Sequence, residues 1–434
     1  MNSHPLWRRW AAGVFVLSTM ALESAGPGAK VFDVREYGAK GDGQTLDTAA
    51  IQKALDECGK AGGGIVRLTA GTYLSQPISL RGGTTLQLDE GARLQATTRH
   101  ADFMKTPGDW LAAKGGSDFI PLVSGKDLTD VAITGKGMID GAGDVWWGPA
   151  EEARRKTSGF TLPRPRMIVL TGCKNVRITG VTLANSPSFH LVPTDCQDVT
   201  IDGVTIRAPD SSPNTDAIDP SISRRVRITR CTLDVGDDNI AIKSGKKIDG
   251  REFACEDIMV SECTFLHGHG MSIGSETVGG VRALTVERCT FDGTESGIRI
   301  KSDRTRGGRV QDLTYRDITM KNVKAPINIT AYYPRIPKED AAQPVTAKTP
   351  IYRDICISNL TATSPQSAGW IVGLPESRVS NVVLENVRIS APVGLTIRNA
   401  QAVRVKAATI EVQKGLPFIV DASASLQGWE APSK

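Results

Sequence analysis

The sequence predicts an all-β chain that folds as a single-domain right-handed parallel β-helix with an N-terminal capping helix. Three observations predict this fold: a repeated segment with two short alternating apolar runs, a spacing of roughly 21 to 32 residues between most copies, and 44 glycines against only 5% aromatic residues. Alternation at a period of two is typical of half-buried strands. Because one coil cannot bury its apolar face alone, the coils must stack in parallel.

The repeat extends through most of the chain, and polar corners that we interpret as turns split its two runs. Two gaps between copies are longer, about 40 to 45 residues, which still suits a solenoid. The repeat is lost from about Gly415 onward. The clearest copies are KNVRITGVTL, QDVTIDGVTI, RRVRITRCTL, EDIMVSECTF, RALTVERCTF, QDLTYRDITM, RDICISNLTA and SNVVLENVRI.

The N-terminus has the features of an export signal. Arg8 and Arg9 precede the apolar stretch WAAGVFVLSTMAL, which is too short to span a membrane, and small residues follow from Ser24. We therefore expect residues 1–25 to be a signal peptide and residues 26–434 to form the β-helix domain of a secreted or periplasmic protein. An uncleaved anchor is the alternative, and no later segment could cross a bilayer.

A single helix is predicted near the start of the mature chain, in DTAAIQKALDECGKAGGG. Asp47 or Thr48 is the candidate cap, and the glycines end the helix. A solenoid needs its open end covered, so we expect this helix to cover it. Its apolar face consists of Ile51, Ala54, Leu55 and Cys58.

Charge and cysteine usage narrow the functional classes. The net charge of +5 is small for 434 residues, and Lys and Arg are scattered, which argues against nucleic-acid binding. Three of the eight cysteines recur at one position of the repeat, each before Thr: Cys231, Cys263 and Cys289. Recurrence at one register favours an interior stack of thiols over disulfides.

Polar groups recur about one repeat apart in the middle of the chain. Residues one coil apart can stand on the same wall of a solenoid, so these groups could line one groove. Taken singly, each block is more often a turn or a solvated strand face, and their occurrence in consecutive repeats favours an active site. The groups are Asp216 in SPNTDAIDP, Asp237 and Asp238 in VGDDNIA, His269 in LHGHGMSIGS, and Arg299 and Lys301 in SGIRIKSD.

With these blocks the chain resembles glycoside hydrolase family 28, the polygalacturonases and related pectin hydrolases. The resemblance covers nearly the whole mature chain, through VREYGAKGDG, GGG-x-V, IDGAGDVWW, NSPSFH, NTD, GDD, GHG and RIK. It implies that Asp237 is the general acid, that Asp216 and Asp238 activate water, and that His269 tunes their protonation. It also implies that Arg299 and Lys301 grip a substrate carboxylate.

The chemistry of these residue types agrees with the implied roles. Glycosidic hydrolysis needs one protonated carboxyl and one ionised carboxylate, and crowding three aspartates raises the pKa of at least one. Arg299 and Lys301 alternate along a strand, so both face one side and suit a uronate. The resemblance implies inversion, whereas a separation of one strand spacing, about 5 Å, would by itself favour retention.

Further candidates come from the same comparison of motifs. Tyr332 or Tyr333 in NITAYYP falls where the family places a substrate-contacting tyrosine. Asn214 is expected to hold the turn around Asp216, and His190 in NSPSFH to line the groove. One departure is Ala217, where the family has Gly; a methyl group there would be strained if the backbone needs positive φ. Trp146 and Trp147 are expected to pack a loop.

The leading hypothesis is hydrolysis of α-1,4 bonds between galacturonate residues of pectin by a monomer without metal or organic cofactor. Endo or exo action depends on whether the long segments 101–116, 150–162 and 332–349 close one end of the groove, and their length is compatible with exo action. The alternatives are a related pectin hydrolase acting on rhamnogalacturonan or xylogalacturonan, a calcium-dependent pectate lyase, and a non-catalytic β-helix that binds acidic polysaccharide.

Overall fold

The computed structural model describes residues 28–106, 108–157 and 162–429, and the expected signal peptide lies outside the described residues. Two α-helices occur there, α1 (Thr48–Lys60) and α2 (Asp144–Lys156). None of the helices in these ranges has the length and apolar character needed to span a bilayer. The short 3-10 helices are Val34–Tyr37, His100–Phe103, Trp110–Ala112 and Gly116–Asp118.

Strands make up most of the regular structure and are numbered β1 to β35 in chain order. They are Val31–Asp33, Asp42–Leu46, Gly64–Leu68, Gly71–Ser75, Ile78–Ser79, Thr84–Leu88, Ala92–Ala96, Val123–Lys126, Thr129–Gly135, Met138–Asp140, Ile168–Thr171, Lys174–Thr179, Thr182–Ala184, Leu191–Thr194, Gln197–Asp202, Thr205–Arg207, Arg224–Thr229, Thr232–Asp234, Ile240–Ile242, Cys255–Ser261, Thr264–Phe265, Met271–Ile273, Val281–Glu287, Thr290–Asp292, Ser296–Lys301, Arg309–Lys321, Ala325–Thr330, Ile351–Thr363, Ser367–Val372, Val379–Ala391, Val393–Arg398, Ala400–Lys406, Thr409–Val412, Phe418–Val420 and Leu426–Gln427.

The strands pair in parallel and form three walls, which confirms the predicted right-handed parallel β-helix. The first wall runs from β1 through β3, β6, β9 and later coils to β35. The second wall runs from β2 through β4, β7 and β10 to β33. The third wall consists of β5, β8, β11 and β14, then residues 218–221, then β19, β22, β25, β27, β29, β31 and β34.

The two apolar runs of each repeat lie on the first and second walls. In the early copies a corner residue with positive φ separates two strands, for example Arg230 (φ 51) between β17 and β18. In the last three copies the runs join into single strands of thirteen residues, β26, β28 and β30. The turns predicted there are therefore bends within a strand, at Asp317, Asn359 and Asn386, whose φ angles are also positive.

Helix α1 buries the predicted face, Ile51, Ala54, Leu55 and Cys58. It packs against β1, β3 and β5 of the first coils. Asp47 is the N-cap residue of α1, as predicted, but its side chain makes no capping hydrogen bond. Its carboxylate accepts hydrogen bonds from the backbone of Lys40 (2.7 Å) and Gly41 (2.9 Å) instead. That α1 covers the open end of the coil stays a prediction.

The interior carries stacks of like residues from successive coils. All eight cysteines lie in the described ranges and none forms a disulfide. Cys231, Cys263 and Cys289 are buried at equivalent positions of three coils, as the repeat predicted. Phe265 and Phe291 stack beside them with ring centroids 4.2 Å apart. The core is thus built by repetition along the axis.

Candidate active site

The predicted polar blocks converge on the third wall. Each block is followed by a strand residue that pairs in register with its counterpart on the next coil. Asp216, Asp238 and His269 each lie two positions before such a residue. The backbone therefore places these three side chains in one column, as expected for blocks one coil apart. The register partners are Ile218, Ile240 and Met271.

Asp238 is a buried carboxylate and is 2% exposed. Lys301 Nζ lies 2.7 Å from one carboxylate oxygen, and Arg299 Nη1 (3.1 Å) and Ser272 Oγ (2.7 Å) donate to the other. Burial alone would raise the pKa of Asp238, but the charges of Lys301 and Arg299 outweigh it and hold that pKa well below its usual range. Asp238 is therefore ionised at neutral pH.

Asp237 pairs with His269, whose Nδ1 lies 2.9 Å from its Oδ1. Asn214 donates to its other oxygen at 3.3 Å. Burial opposes ionisation of Asp237, but the hydrogen bond from His269 outweighs burial and lowers the pKa of Asp237. Burial also opposes a charge on His269, yet Asp237 raises its pKa. In this arrangement the proton of the pair resides on His269.

Asp216 contrasts with the other two aspartates. Burial and the charge of the neighbouring Asp219 raise the pKa of Asp216 well above its usual value. Asp219 is itself 1% exposed, and burial raises its pKa to about 6. Lys243 Nζ lies 3.2 Å from an oxygen of each. The predicted raised pKa within the cluster thus falls on Asp216.

Sequence reasoning missed Asp219 and Lys243. A signal was present, because Lys243 alternates with Ala241 in AIK as Lys301 alternates with Arg299 in RIK, and alternate residues of a strand face the same side. Ile242 and Ile300, which directly precede Lys243 and Lys301, both pair with Ile273, so the two lysines lie on the coils on either side of it.

Asn214 lies in the turn before Asp216 and has a φ of 53°; that it holds this turn stays a prediction. Arg164, a buried side chain that the motifs did not reveal, donates to Asn214 Oδ1 (3.0 Å) and to the carbonyls of Pro187 and Pro213. The left-handed position falls on Asn214 and not on Ala217, which is buried and donates its N–H to the Asp238 carbonyl. The methyl group of Ala217 therefore causes no strain.

His190 does not line the groove, which corrects the prediction. Its side chain is completely buried, so no substrate atom can reach it. Nε2 accepts a hydrogen bond from the backbone of Ser186 (3.2 Å), so Nδ1 carries the proton and donates to the Asp216 carbonyl (3.1 Å). His190 therefore positions the backbone of Asp216.

We expect His190→Gln to flatten the pH dependence of the free energy of unfolding. Burial lowers the pKa of His190 to about 4. The unfolded chain binds the proton more readily than the folded chain. The neutral, buried imidazole therefore contributes about 3 kcal/mol to the free energy of unfolding above about pH 6.5, and this contribution is lost as the pH falls toward 4. Urea unfolding at several pH values measures it, and parallel curves for the two proteins would contradict the assignment.

Tyr332 and Tyr333 differ in exposure. Tyr332 is 8% exposed and its hydroxyl donates to Asp340 at 2.7 Å. Tyr333 is half-buried, and Lys301 Nζ lies 5.3 Å from its ring centroid. Both tyrosines border a cleft of about 520 Å³ with Arg299, Lys301, Asn328 and Trp370. Tyr333 is thus the better placed of the two to meet a ligand.

The long segments flanking the groove are partly ordered by contacts with it. Arg304 binds Asp340 and Glu376, each at 2.6 Å, and Arg398 donates to the carbonyls of Pro337 and Lys338. These contacts fasten the segment 332–349 to the third wall. In helix α2, Trp146 packs against the rings of His100 and Trp110, and Trp147 donates to the Ser186 carbonyl, so both serve packing, as expected.

One group of side chains has the composition of a metal site. The ligand atoms of Asp237, Asp238 and His269 lie within 4.8 Å of one another. However, Arg299 and Lys301 already contact both oxygens of Asp238, and Asp237 raises the pKa of His269 toward the cationic form. A metal ion would meet these positive charges, so the donor set does not fit one.

Comparison with known proteins agrees with this geometry. A family model described as glycosyl hydrolases family 28 matches residues 58–409. An endo-polygalacturonase from Pectobacterium carotovorum subsp. carotovorum is 35% identical over 374 residues, which cover 83% of this chain and 88% of that protein.

Two solved structures are also similar. The polygalacturonase from Erwinia carotovora ssp. carotovora is 30% identical, covers 93% of this chain and 99% of its own, and superimposes with a TM-score of 0.67. A hyperthermoactive exopolygalacturonase from Thermotoga maritima is 25% identical, with 92% of each chain covered and a TM-score of 0.69. With a carboxylate cluster on the third wall and a family match over most of its length, this chain belongs to glycosyl hydrolases family 28 and is a glycoside hydrolase.

Proposed function

We propose that the protein hydrolyses α-1,4 bonds between galacturonate residues in polygalacturonate or pectin. The observation that carries the proposal is the pair of cations, Arg299 and Lys301, beside Asp237 and Asp238 on one wall. A neutral sugar would not require a guanidinium fork and an ammonium group, whereas a uronate carboxylate matches both. Polygalacturonase activity of the relatives supports the same substrate class.

In the proposed mechanism Asp237 donates a proton to the leaving oxygen, and Asp238 and Asp216 orient and deprotonate the attacking water. Asp237 must therefore carry a proton when substrate is bound. A galacturonate carboxylate at Arg299 and Lys301 adds negative charge beside Asp237, which raises the pKa of Asp237 and favours transfer of the proton from His269. The negative charge of the substrate thus favours the protonated form of Asp237, which a general acid requires.

We further propose inversion at the anomeric carbon. In this proposal, water lies between Asp216, Asp238 and the sugar, while the acid Asp237 acts from the leaving-group side. Asp216 and Asp238 come from adjacent coils, which supports their sharing one water. NMR of the first product formed distinguishes an inverted from a retained anomer, and a retained anomer would contradict this step.

The proposal predicts release of reducing ends from polygalacturonate and little release from neutral glucans, which lack the carboxylates.

The time course of products distinguishes endo from exo action, and the relatives include an enzyme of each kind. Monomer from the start indicates exo action, which the fastened segment 332–349 would support by closing one end of the groove. A ladder of oligomers indicates endo action.

We propose that the mature protein is secreted or periplasmic, on the pattern of residues 1–25. We also propose that it acts as a monomer. The competing lyase chemistry would yield an unsaturated product with ultraviolet absorbance. A binding protein would yield no product at all. Both outcomes can be read from the same incubation with polygalacturonate, and either would replace the hydrolytic assignment.

A further inference from the structure

Lys243 lies between two buried carboxylates of the third wall. Its Nζ donates a hydrogen bond to Asp216 Oδ2 at 3.2 Å. It lies equally close to Asp219 Oδ2, but its geometry makes no hydrogen bond there, so that contact is an ion pair only. The Lys243 side chain is 20% exposed and its ammonium lies 4.4 Å from the ring centroid of Phe189.

Asp219 is unusual because its carboxylate is nearly unsupported. Both of its oxygens are buried and lack a hydrogen-bond donor among the described residues. Burying a carboxylate without hydrogen-bond donors costs free energy, so Asp219 either interacts with a neighbouring charge or carries a proton. Asp219 follows Asp216 by three positions, and both meet the same ammonium.

Several other charged or titratable groups face these carboxylates. Arg164 and Arg166 favour the ionised forms of Asp216 and Asp219 respectively, and Asp237 and Asp238 oppose ionisation of Asp216. His190 contacts only the backbone carbonyl of Asp216. Within this set Lys243 is the cation that touches the Asp216 carboxylate, and Asp219 is the acid that shares its charge.

We propose that Lys243 and Asp219 are positioning residues for Asp216, with Lys243 holding its carboxylate in place and favouring its ionised form, while Asp219 draws part of that positive charge away. This inference rests on the proposed function, in which Asp216 helps to deprotonate water. The balance of the two residues then sets the lowest pH at which water is activated. Neither residue is required to touch the substrate.

The proposal predicts opposite effects for two substitutions of matched size. Lys243→Met removes the cation that lowers the pKa of Asp216, so the acidic limb of the kcat profile moves to higher pH, by about one unit or more. Asp219→Asn removes the acid that raises it, so the limb moves to lower pH by a similar amount. The KM for polygalacturonate changes less than about threefold in both, as expected when transition-state interactions alone are lost.

Further variants separate positioning from general damage. Lys243→Arg keeps the charge and should leave the limb near its original pH, and the double variant Lys243→Met with Asp219→Asn should bring it part of the way back. Lys247→Met changes an exposed lysine of the following loop and should have no effect. The proposal would be overturned if the acidic limbs of the kcat profiles of Lys243→Met and Asp219→Asn lay at the same pH. It would also be overturned if Lys243→Met raised KM while its acidic limb stayed at the wild-type pH.

A second measurement keeps this test independent of turnover. The Asp216 carboxyl signal of isotope-labelled protein, assigned with Asp216→Asn, is titrated by NMR in the wild type and the two variants. Opposite displacements of its titration support the inference even if polygalacturonate proves not to be the substrate. Coincident titrations would overturn it even in an active enzyme, leaving the proposed hydrolysis intact.

Discussion

Asp237→Asn is expected to lower the rate of reducing-end release from polygalacturonate by about 100- to 10,000-fold, the contribution usual for a general acid. The amide keeps the size of the side chain and its hydrogen bonding with Asn214 but has no proton of suitable acidity to give. The substrate should still bind, because Arg299 and Lys301 are unchanged, so kcat falls far more than KM rises.

The matched control for this prediction is Asp249→Asn, an aspartate in an exposed loop, which should retain full activity. Circular dichroism and thermal unfolding of both variants verify that the fold persists. Since Asp237 lies 2.9 Å from His269, the variant should also lose the raised pKa of that histidine. Activity within a few fold of the wild type would remove Asp237 from the role of general acid.

Lys301→Met is expected to reduce kcat/KM by at least about 100-fold, since truncating one partner of a buried charge pair costs about 2 to 5 kcal/mol. Two losses combine: the substrate carboxylate loses an ammonium partner, and Asp238 loses its closest cation. The pKa of Asp238 then rises, so its capacity to activate water weakens. Both KM and kcat should therefore change, unlike in Asp237→Asn.

The same variant should be less stable, in a pH-dependent way. Because Lys301 lowers the pKa of Asp238, its stabilising effect is fully present above about pH 4 and declines as the pH falls further. Denaturant unfolding at several pH values measures the difference from the wild type. Lys321→Met, at a 76% exposed lysine paired with Asp292, is the control and should alter neither stability nor kcat/KM appreciably. Unchanged kcat/KM in Lys301→Met would exclude the clamp.

The fold was predictable because the same strand pattern recurs in many copies of the repeat. Each copy carries the same alternation, so errors at one copy do not alter the architecture. The joined strands β26, β28 and β30 were missed, since Asp317, Asn359 and Asn386 permit a left-handed bend at which only that one residue of each strand is left out of the parallel pairing. Asp47 is the N-cap residue of α1 but makes no capping hydrogen bond, because the backbone N–H groups of Lys40 and Gly41 bind its carboxylate.

The site was predictable only where blocks recur at coil spacing. Asp216, Asp238 and His269 met that condition and share one column. Arg164 lies outside the repeat's strands, and its contact with Asn214 spans 50 residues of sequence, so no local pattern could reveal it. The burial of His190 and the orientation of Arg299 and Lys301 toward Asp238 depend on how side chains pack, which spacing alone does not specify.

The column formed by Asp216, Asp238 and His269 lies on a repeating backbone, and this bears on how such a protein can change its length. The distances along the axis between Asp216, Asp238 and His269 are fixed by main-chain hydrogen bonds, not by their side chains. Duplicating or deleting a whole turn beyond β29 would thus lengthen or shorten the track available to a polymer chain while leaving the reacting centre untouched. The length of polymer that the protein contacts and the chemistry of its reacting centre can therefore change independently, by genetic duplication or by design.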